Sequence, residues 1–416
     1  MNWIKTNLGS TTTLIRNGLN VNQLSTESRG LPITRIETIS DEIINPNKVG
    51  YSNLNEENYS DWLLLEGDIL LSHINSEKHL GKVAIYEGYP EKIVHGMNLL
   101  CLRSDRKIIL PKYLFYFLRQ YRYNNLFLRI SKRAVNQASM STGDLKNIKL
   151  DIPPLSEQRR IVEILDQADE IRKLRKQADE KAEKIIPALF YGMFGDPISN
   201  SKKYKIKSIS EVGKVVTGST PPSKFNDMWG GTIPFVTPGD LESKNGIIQR
   251  FVTIGGAENS RVIRSGSTLV CCIGATIGKV YKAKLKSAFN QQINAIEWDN
   301  NIIDDNYGFY LLKFLKQIVI SKATSTTLPI LKKSVFEQIS IPIPPLDKQL
   351  KFSKVVTQFE RIAEYNYNSK EIIEKLFNVI LNKSFDGSLT EKWRETNMKE
   401  LLQEMEEQKK YFEKVI

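Results

Sequence analysis

The sequence predicts an α+β chain built from two similar β-rich segments, each followed by one long amphipathic helix. The first observation is a repeat: the stretch beginning IPPL at Ile152 returns as IPPL at Ile343. The two copies align without a gap as far as Phe194 and Phe385. The second observation is that short β-branched runs with regular glycines precede each copy. Self-similarity at a fixed offset indicates an internal repeat, so we expect two related halves.

The first β-rich segment is predicted over residues 1–151. Runs such as LPITRIETI, GDILLSHI and GKVAIYEG combine β-forming residues with glycines that mark turns. The stretch PKYLFYFLRQ predicts a helix, because Pro111 is tolerated in a first helical turn. A polar stretch, SKRAVNQASMSTGDLKNIKLDIPP, closes the segment.

The second β-rich segment, residues 203–343, repeats that order. IPFVTPGDL, GSTLVCCIGATIGKV and DNYGFYLLKFL stand where the earlier strands and helix stood, and Tyr307 corresponds to Tyr113. SKATSTTLPILKKSVFEQISIPIPP replaces the closing stretch. The halves agree in pattern more than in identity. We therefore expect one fold that carries two different surfaces.

Two long helices are predicted, a central one over 152–194 and a distal one over 344–386. Apolar residues recur in each at steps of three and four, which is the pattern of a coiled-coil seam with charged flanks. Such a stripe must be buried, and the other copy is the nearest candidate to cover it. The stripe comprises Ile161, Leu165, Ala168, Ile171, Leu174, Ala178, Ala182, Ile185 and Leu189, and then Phe352, Val355, Phe359, Ile362, Ile372, Leu376 and Val379.

Two further stretches complete the chain. Residues 195–202 are expected as a linker, and 387–416 as a charged helical tail that is either an arm for a protein partner or a solvated helix. Pro187 lies within the first helical pattern, and it is expected to kink the central helix or to end it early.

Charge and composition limit the classes of function. The net charge is +12, and Lys and Arg outnumber Asp and Glu by 19 to 15 in residues 1–151 and by 19 to 10 in residues 199–343. Such an excess suits phosphate backbones or mere solubility, and charge alone does not decide between them. Three cysteines without CxxC spacing and three histidines support neither a disulfide framework nor a zinc site. Without a signal peptide or a long apolar run, we expect a cytoplasmic protein with no membrane contact.

Fragments that resemble catalytic motifs fail in detail. GATIGKV has one residue too few between its glycines for a phosphate-binding loop, so a tight turn is expected. Ile152 and Ile343 stand where the Asx-Pro-Pro-aromatic motif of amino-methyltransferases needs Asx. Asp240, Glu242 and Lys244 could form part of an Mg²⁺-dependent nuclease site. A standalone DNA endonuclease therefore stays open as an alternative.

Binding residues are better represented than catalytic ones. Cations mixed with amides and hydroxyls suit DNA, because Lys and Arg contact phosphates and guanine while Asn and Gln contact adenine. The candidates in the first segment are Arg35, His73, Asn75, Lys78, His79, Lys132, Arg133, Asn136, Gln137 and Ser139. Those in the second are Lys224, Asn226, Thr237, Lys244, Arg261, Lys322, Thr324, Ser325, Thr326 and Thr327.

Two variable β-rich segments, each followed by a PPL-x-x-Q helix, resemble the specificity (S) subunit of type I restriction–modification systems. The motifs that carry the resemblance are IPPLSEQ, IPPLDKQ, TGSTPPSKFNDMWGGTIPFVTPGDL, GATIGKV and FDGSLTEKWRE. The chain departs from the pattern at Pro187, and its first segment lacks the tryptophan-containing stretch of the second.

The resemblance implies two target-recognition domains held apart by an antiparallel pair of helices. Each domain would read one half of a bipartite double-stranded DNA target with an unread gap. Two methyltransferase subunits would bring S-adenosylmethionine, and restriction/translocase subunits would use ATP and Mg²⁺, while this chain would bind no cofactor and catalyse nothing. A rod of about 36 residues, roughly 54 Å long, has room for readers one DNA turn, about 34–36 Å, apart. A non-specific DNA-binding scaffold is the other alternative.

Overall fold

The computed structural model describes residues 3–21, 30–222, 224, 226–241, 248–324 and 328–415. The chain divides into two compact units, each of which mixes helices and strands as predicted. Unit 1 comprises Met1–Arg175 and Ser369–Ile416, and unit 2 comprises Lys176–Asn368. In the part of the chain that the structure describes, no helix is both long and apolar enough to cross a membrane.

The strands are short, and most lie in antiparallel sheets. Those of unit 1 are β1 (Ile4–Asn7), β2 (Thr12–Asn17), β3 (Pro32–Ile33), β4 (Gly50–Tyr51), β5 (Ile69–Ser72), β6 (Ile74–Asn75), β7 (Val83–Ile85), β8 (Leu99–Ser104), β9 (Lys132–Ala134), β10 (Gln137–Ser139) and β11 (Lys149–Ile152). Those of unit 2 are β12 (Lys205–Ser208), β13 (Gly213–Thr217), β14 (Trp229–Val236), β15 (Phe251–Val252), β16 (Val262–Ile263), β17 (Thr268–Cys271), β18 (Val280–Lys282), β19 (Ser287–Phe289), β20 (Ile293–Trp298) and β21 (Ser340–Ile343).

The helices include two of 40 residues each, at the positions of the sequence repeat. In chain order the helices are α1 (Glu56–Tyr59), α2 (Pro111–Tyr123), α3 (Leu126–Ile130), α4 (Thr142–Lys146), α5 (Leu155–Phe194), α6 (Ile254–Glu258), α7 (Asp305–Phe314), α8 (Lys316–Ser321), α9 (Lys333–Glu337), α10 (Leu346–Phe385), α11 (Glu391–Thr396) and α12 (Met398–Val415). Single 3-10 turns lie at Leu8–Thr11, Ile36–Ile39, Pro46–Lys48, Ser60–Trp62, Ile209–Glu211 and Asn226–Met228.

A four-stranded antiparallel sheet forms the centre of each unit. Its order is β2-β8-β5-β7 in unit 1 and β13-β20-β17-β18 in unit 2. The central strands carry the buried aliphatic runs that the sequence predicted, for instance Ile69–Ser72 and Thr268–Cys271, which are buried throughout. In each unit a further two-stranded pair, β1 with β11 or β12 with β21, joins the start of the β-rich segment to the strand before the long helix.

The two units differ in their other sheets. Unit 1 adds a three-stranded sheet in the order β6-β10-β9 and a small β3-β4 pair. Unit 2 adds a four-stranded sheet in the order β15-β14-β19-β16, in which β14 and β19 run parallel. One sequence pattern therefore specifies one central sheet with two different additions.

A buried glutamine joins each long helix to its β-rich segment. Gln158 donates to the carbonyls of Ile108 and Pro153, at 2.9 Å each, and accepts from the backbone N–H of Leu110 at 2.8 Å. Gln349 makes the same three bonds in unit 2, to Ile302 O, Pro344 O and Asp304 N. Both side chains are fully buried, so each amide satisfies backbone groups that water cannot reach.

A buried tyrosine also occupies the same place in each unit. Tyr113 on α2 and Tyr307 on α7 are fully buried. Tyr113 Oη donates to Asp151 O at 3.4 Å, and Tyr307 Oη donates to Pro342 O at 2.9 Å. Each carbonyl belongs to the strand that leads into a long helix. The sequence correspondence between these two tyrosines is therefore matched by equivalent contacts.

The long helices bury their apolar residues mainly near their ends. In unit 1 the buried residues include Ile161 and Leu165 of α5 and Phe377 and Leu381 of α10; in unit 2 they include Phe190 and Phe194 of α5 and Phe352 and Val356 of α10. Much of the predicted stripe is instead exposed by half or more, namely Ile171, Leu174, Ile362, Ile372, Leu376 and Val379. The expectation of a continuously buried seam is wrong for these residues, because the sheet and helix cores that cover the helices reach only their ends.

Pro187 does not end the central helix, which continues through it to Phe194. The residues that follow the proline explain why the helix persists. Phe190 and Phe194 pack against Tyr307 and Phe352, with ring centroids 4.8 to 5.7 Å apart. This packing compensates for the single backbone hydrogen bond that proline cannot make.

The C-terminal tail packs on unit 1 and is neither a free arm nor a solvated helix. Glu157, fully buried on α5, accepts from Trp3 Nε1 at 3.1 Å, from Thr390 Oγ1 at 2.6 Å and from Arg394 Nε at 2.8 Å. On α12, Gln408 donates to Ile108 O at 2.7 Å, and Phe412 joins the unit 1 core. The tail is thus an integral layer of unit 1.

Candidate nucleic-acid interface

In unit 1 the structure brings several of the predicted DNA-contacting stretches onto one small sheet. Strand β10 pairs with β6, with Ala138 opposite Asn75, and with β9, with Ser139 opposite Lys132. β9 and β10 form a hairpin whose turn is Val135–Asn136. Asn136 has a φ of 61°, a left-handed conformation that asparagine tolerates well in turns. The hairpin and the strand after β5 therefore form one surface.

The side chains of this hairpin face solvent almost without exception. Lys132, Arg133, Asn136 and Gln137 are exposed, and Ser139 is half-buried. Val135 at the tip is 92% exposed, which is unusual for an aliphatic residue. The hairpin thus presents cations, amides and one apolar tip, which are the side-chain types that contact phosphates and base edges in DNA.

His73 differs from these residues because it is buried. It is 6% exposed, its Nδ1 has no hydrogen-bond partner among the described residues, and its backbone carbonyl accepts from Met140 N at 2.9 Å. Burial lowers the pKa of His73, although a hydrogen bond to the Asn98 backbone opposes that shift. His73 is accordingly neutral near pH 7 and supports the sheet more than it presents a charge.

The turn after β6 carries Lys78 and His79. Lys78 is exposed and His79 half-buried. Partial burial and the nearby charges of Lys82, Lys78 and Arg122 lower the pKa of His79. Glu77 in the same turn lies 3.5 Å from Arg133 Nε, so this ion pair joins the turn to the hairpin. Asn75 is engaged locally, donating to Ser72 Oγ and accepting from Ser76 N.

Beside the hairpin lies a cavity of about 370 Å³. Its lining includes His73, Lys132 and Ser139 together with Asn17 and Asp144, which the sequence analysis did not select. Hydrogen bonds from Ser141 and the charge of Lys132 lower the pKa of Asp144. Asp144 closes the capping box at the start of α4, and the S-x-x-D spacing at Ser141 was a signal for it.

Arg35 does not belong to the three-stranded sheet of β6, β9 and β10. It precedes the 3-10 turn Ile36–Ile39, and its backbone N–H donates to Thr38 Oγ1 at 2.8 Å. Its side chain is half-buried. The structure therefore groups His73, Asn75 and the 132–139 hairpin but does not add Arg35 to that sheet.

In unit 2 the closing stretch meets the central sheet at the same place. Leu331 N donates to Cys272 O at 2.8 Å, as Met140 N does to His73 O in unit 1. Ile273 and Ile330 form an antiparallel bridge, and Gly274 N donates to Pro329 O. The GATIGKV stretch is a turn, as expected, with Ile277 N donating to Gly274 O.

The polar residues of that closing stretch fall partly outside the described residues. Lys322 ends α8 and is exposed, and Thr324 is exposed and exchanges two hydrogen bonds with Ile330 at 3.0 Å each. Ser325, Thr326 and Thr327 lie outside the described residues, as does Lys244. Two hydrogen bonds thus join Thr324 to Ile330, which pairs with Ile273.

The other candidates of unit 2 lie around the second sheet. Lys224 and Arg261 are exposed, and Asn226 begins the 3-10 turn before β14. Thr237 follows β14 and donates to Asp240 through both its backbone N–H, at 2.7 Å, and its Oγ1, at 2.6 Å. Thr237 thus serves the turn that follows the strand, since its hydroxyl is already used there.

The geometry gives no support to the nuclease alternative. Asp240 accepts two hydrogen bonds from Thr237 and so closes a turn, while Glu242 and Lys244 lie outside the described residues. Within the described ranges no three His, Cys, Asp or Glu side chains are grouped so that they could hold a metal ion.

Comparison with known proteins agrees with this geometry. The family described as the type I restriction modification DNA specificity domain matches residues 3–184 and again 201–375. The chain belongs to this family. Two matches, one over each half, agree with the repeat in the sequence and with the presence of one four-stranded central sheet in each unit.

Individual relatives show how far the similarity extends. The chain is 34% identical over 391 residues to the putative type I restriction enzyme MjaX specificity subunit of Methanocaldococcus jannaschii, which covers 90% of this chain and 91% of the relative. The HindI specificity subunit of Haemophilus influenzae is 22% identical and covers 78% of this chain and 87% of its own length. Both are specificity subunits, the non-catalytic members of restriction enzymes.

A solved structure supports the fold. The type I restriction-modification S subunit from M. genitalium superposes with a TM-score of 0.59 at 14% identity, covering 92% of this chain and 96% of that chain. The resemblance drawn from the sequence motifs is therefore confirmed for the family, and the prediction of a mixed fold of helices and strands is confirmed as well. Members of the family are DNA-recognition subunits, which agrees with the expectation that this chain is not an enzyme by itself.

Proposed function

We propose that this chain is the DNA-reading subunit of a type I restriction–modification complex, and that each unit reads one half of a bipartite double-stranded target. The observation that carries the proposal is the shared strand edge. Met140 N bonds to His73 O in unit 1 and Leu331 N to Cys272 O in unit 2. The closing stretch that makes this contact carries the basic β9–β10 hairpin in unit 1 and Lys322 and Thr324 in unit 2, so the two units offer different side chains with which to read DNA.

The residues proposed to contact DNA remain those predicted from the sequence, but their exposure in the structure ranks them differently. Lys132, Arg133, Asn136 and Gln137 are exposed on one ribbon, and they are the first candidates for base edges and phosphates. His73 and Thr237 are engaged in supporting contacts, and they act on DNA through the segments that they hold. Lys224, Arg261 and Lys322 supply exposed cations in unit 2.

The long helices form the frame in this proposal, as an antiparallel pair with pseudo-two-fold symmetry. In unit 1, Arg172 of α5 donates to Glu374 of α10 at 2.9 Å. In unit 2, Phe190 of α5 contacts Phe352 of α10 at 5.6 Å between ring centroids. Each contact joins the early part of one helix to the late part of the other. The target-recognition domains are then 1–151 and 203–343, with helices 152–194 and 344–386, linker 195–202 and tail 387–416.

Partners complete the proposed complex. Two methyltransferase subunits would dock on the helices and supply S-adenosylmethionine, and restriction/translocase subunits would supply the ATP- and Mg²⁺-dependent steps in the cytoplasm. The exposed apolar residues of the helices support a docking role, since Leu174 is 54% exposed and Ile372 63%. Large apolar side chains that stay exposed on a helix are candidates for contact with a protein partner.

The test is to produce the chain with its methyltransferase partner and to map the methylated adenines. We expect a target of two short blocks with a fixed gap. Exchanging residues 1–151 for the corresponding domain of another family member should change one block only, and exchanging 203–343 should change the other. A continuous target, or a change in both blocks after one exchange, would contradict the proposal. DNA binding without sequence preference at any salt concentration would favour the scaffold alternative.

A further inference from the structure

A stacked arginine in unit 2 lies outside the predicted interface and has no assigned role. The Arg250 guanidinium carbon lies 4.2 Å above the centroid of the Trp229 ring and 5.5 Å from that of Phe235. The two rings meet edge to face, 5.0 Å apart. The Arg250 backbone is fixed as well, because its carbonyl accepts from Phe235 N at 2.8 Å. Both backbone and guanidinium are therefore held in one orientation.

The Arg250 side chain is exposed, and among the described residues no carboxylate lies within ion-pair distance of its guanidinium. Other arginines are already committed: Arg264 in the same unit is bonded through both Nη atoms to Asp305, at 2.7 and 2.8 Å. Arg16 of unit 1 also lies 4.2 Å over a tryptophan, Trp62, but its guanidinium donates to the Asp61 carbonyl. Arg250 contrasts with both, because it is stacked on an aromatic ring and has no ion-pair partner in the described part of the chain.

The surroundings of Arg250 leave room for a ligand. A shallow cavity of about 330 Å³ is lined by Trp229, Gly230, Gly231, Gln249, Arg250 and Phe251. Gln249 and Phe251 are exposed on either side of Arg250. Gly231 has no space for a side chain, because a Cβ there would lie 2.4 Å from Val252 O. The side chains that line the cavity thus offer one planar cation, one amide and the indole N–H of Trp229, whose Nε1 has no hydrogen-bond partner among the described residues.

We propose that Arg250 reads a guanine in the half of the target that unit 2 contacts. This inference rests on the proposed function and names a residue for it. A guanidinium whose plane is fixed by stacking presents two parallel N–H groups, which match the O6 and N7 acceptors of guanine in the major groove. Arg250 directly precedes β15, which is an edge strand of its four-stranded sheet, and its side chain is exposed at that edge. Phosphate contacts do not require such orientation, and the exposed Lys224 and Arg261 can supply them.

The test compares Arg250→Ala and Arg250→Lys with the unsubstituted chain, each produced with the methyltransferase partner, by mapping methylated adenines. Both variants should relax one G·C position in the block that depends on residues 203–343. The preference there should fall by about 5- to 150-fold, the value of one bidentate arginine–guanine pair. The block that depends on residues 1–151 should not change, and it reports that the variant is folded and assembled.

The substitution to lysine separates base contact from phosphate contact. Lysine keeps the charge but loses the planar fork, so a variant with unchanged specificity would overturn the proposal. A uniform fall in methylation at an unchanged target would identify a phosphate contact and would also overturn it, as would a unit 2 block without any G·C pair. If the unsubstituted chain itself yields a continuous target, the proposed function fails, and that result is distinct from a bipartite target that Arg250 does not influence.

Discussion

The two units share a frame but not a surface. Each has a four-stranded antiparallel sheet, a buried tyrosine that bonds to the strand before the long helix, and a buried glutamine that joins helix to sheet. Outside this frame, unit 1 carries the β9–β10 hairpin and unit 2 carries the sheet of β14, β15, β16 and β19. The shared groups are buried and hydrogen-bonded, whereas the differing elements are largely exposed at their edges.

This contrast has a physical explanation. A buried amide such as Gln158 or Gln349 must satisfy several backbone groups at once, so few residue types can replace it. An exposed hairpin residue has no such obligation, and its identity is free to follow the ligand. A recognition surface can therefore change in one unit while the frame and the other unit stay constant.

A second contrast concerns the first turn of each long helix. Glu157 on α5 is buried and receives Arg394 from the tail, whereas the equivalent position on α10 is Lys348, which is exposed. The two long helices carry the same residue type where each contacts its own β-rich segment, as at Gln158 and Gln349. They differ where only α5 is covered by the tail. The tail is thus specific to unit 1.

The largest effect is expected from breaking that contact. Arg394→Ala removes the ionic partner of the fully buried Glu157 carboxylate, and Trp3 and Thr390 are its remaining donors among the described residues. Leaving a buried charge without its ionic partner costs about 3–5 kcal/mol. The urea concentration at which unit 1 unfolds should therefore fall, while that for unit 2 should stay unchanged. Hydrogen exchange resolved by segment measures both units in one sample.

Lys348→Ala is the matched control for this change. It alters the equivalent helix position in unit 2, where the side chain is exposed, and should cost less than about 0.5 kcal/mol. Equal losses from the two substitutions would show that the tail contact has no special role in unit 1.

The next largest effect tests the shared frame. Gln349→Ala would leave Ile302 O, Pro344 O and Asp304 N without their side-chain partner, at a cost of about 2–4 kcal/mol. Gln158→Ala should cost less, because Ile108 O also accepts from Gln408 at 2.7 Å and stays paired. Urea unfolding followed by segment-resolved exchange measures both.

Gln167→Ala on α5 serves as the control for these glutamines, since this side chain is exposed and should have little influence. A larger loss from Gln158→Ala than from Gln349→Ala would contradict the role given to Gln408 as a second donor.

The frame was predictable from sequence because burial leaves a periodic signal. The repeat beginning at Ile152 and Ile343, and the pairing of Tyr113 with Tyr307, correspond to equivalent contacts in the two units. What the pattern could not show is how far each helix is covered. Ile171 and Ile372 continue the apolar periodicity but are more than half exposed. Periodicity indicates which face of a helix needs to be covered, but it does not indicate whether the covering partner belongs to the same chain.

The sequence indicated which stretches carry polar and basic side chains but not which of them lie together. The 132–139 stretch and the residues after β5 lie on one small sheet, because β10 pairs with β6. His73 could not be distinguished from a surface cation, because its burial depends on a strand pairing that is distant in sequence. Arg250 was missed because its significance depends on the facing ring of Trp229, and no local motif marks a stacked arginine.

A smaller loss of stability is expected from removing one ionic contact in each unit. Asp169 on α5 bonds to Arg119 and Arg172, and its side chain is 12% exposed. Burial alone would raise the pKa of Asp169, but Arg119, Arg172 and Lys173 outweigh it and lower that pKa. Its contribution to stability is therefore complete above the unfolded value of 3.8 and is lost as the pH falls through the lowered folded value. Asp169→Asn should cost about 1–3 kcal/mol at pH 7.

The helix position equivalent to Asp169 in unit 2 is Glu360, and its ion pair provides the comparison. Glu360 pairs with Lys282 at 2.9 Å, and its side chain is 38% exposed, so Glu360→Gln should cost only about 0–1 kcal/mol. Urea unfolding at pH 7 and again below pH 3.8 should show the difference between the unsubstituted chain and the Asp169 variant narrowing as the pH falls. A difference that grows in acid would mean that Asp169 has a raised folded pKa, contrary to this assignment.

The smallest effect per substitution is expected at the two equivalent strand edges, where Met140 bonds to His73 and Leu331 bonds to Cys272. This prediction bears most directly on function. Lys132→Gln in unit 1 and Lys322→Gln in unit 2 each remove one exposed cation beside the shared strand edge. If each contacts a phosphate, DNA affinity of the complex with its methyltransferase partner should fall a few-fold for every sequence. The slope of log affinity against log salt should also fall in magnitude by about one in either variant. Lys5→Gln, an exposed cation on β1, should leave the slope unchanged. A change of slope for one edge and not the other would show that the two units, despite equivalent backbone contacts at this edge, approach DNA through different surfaces.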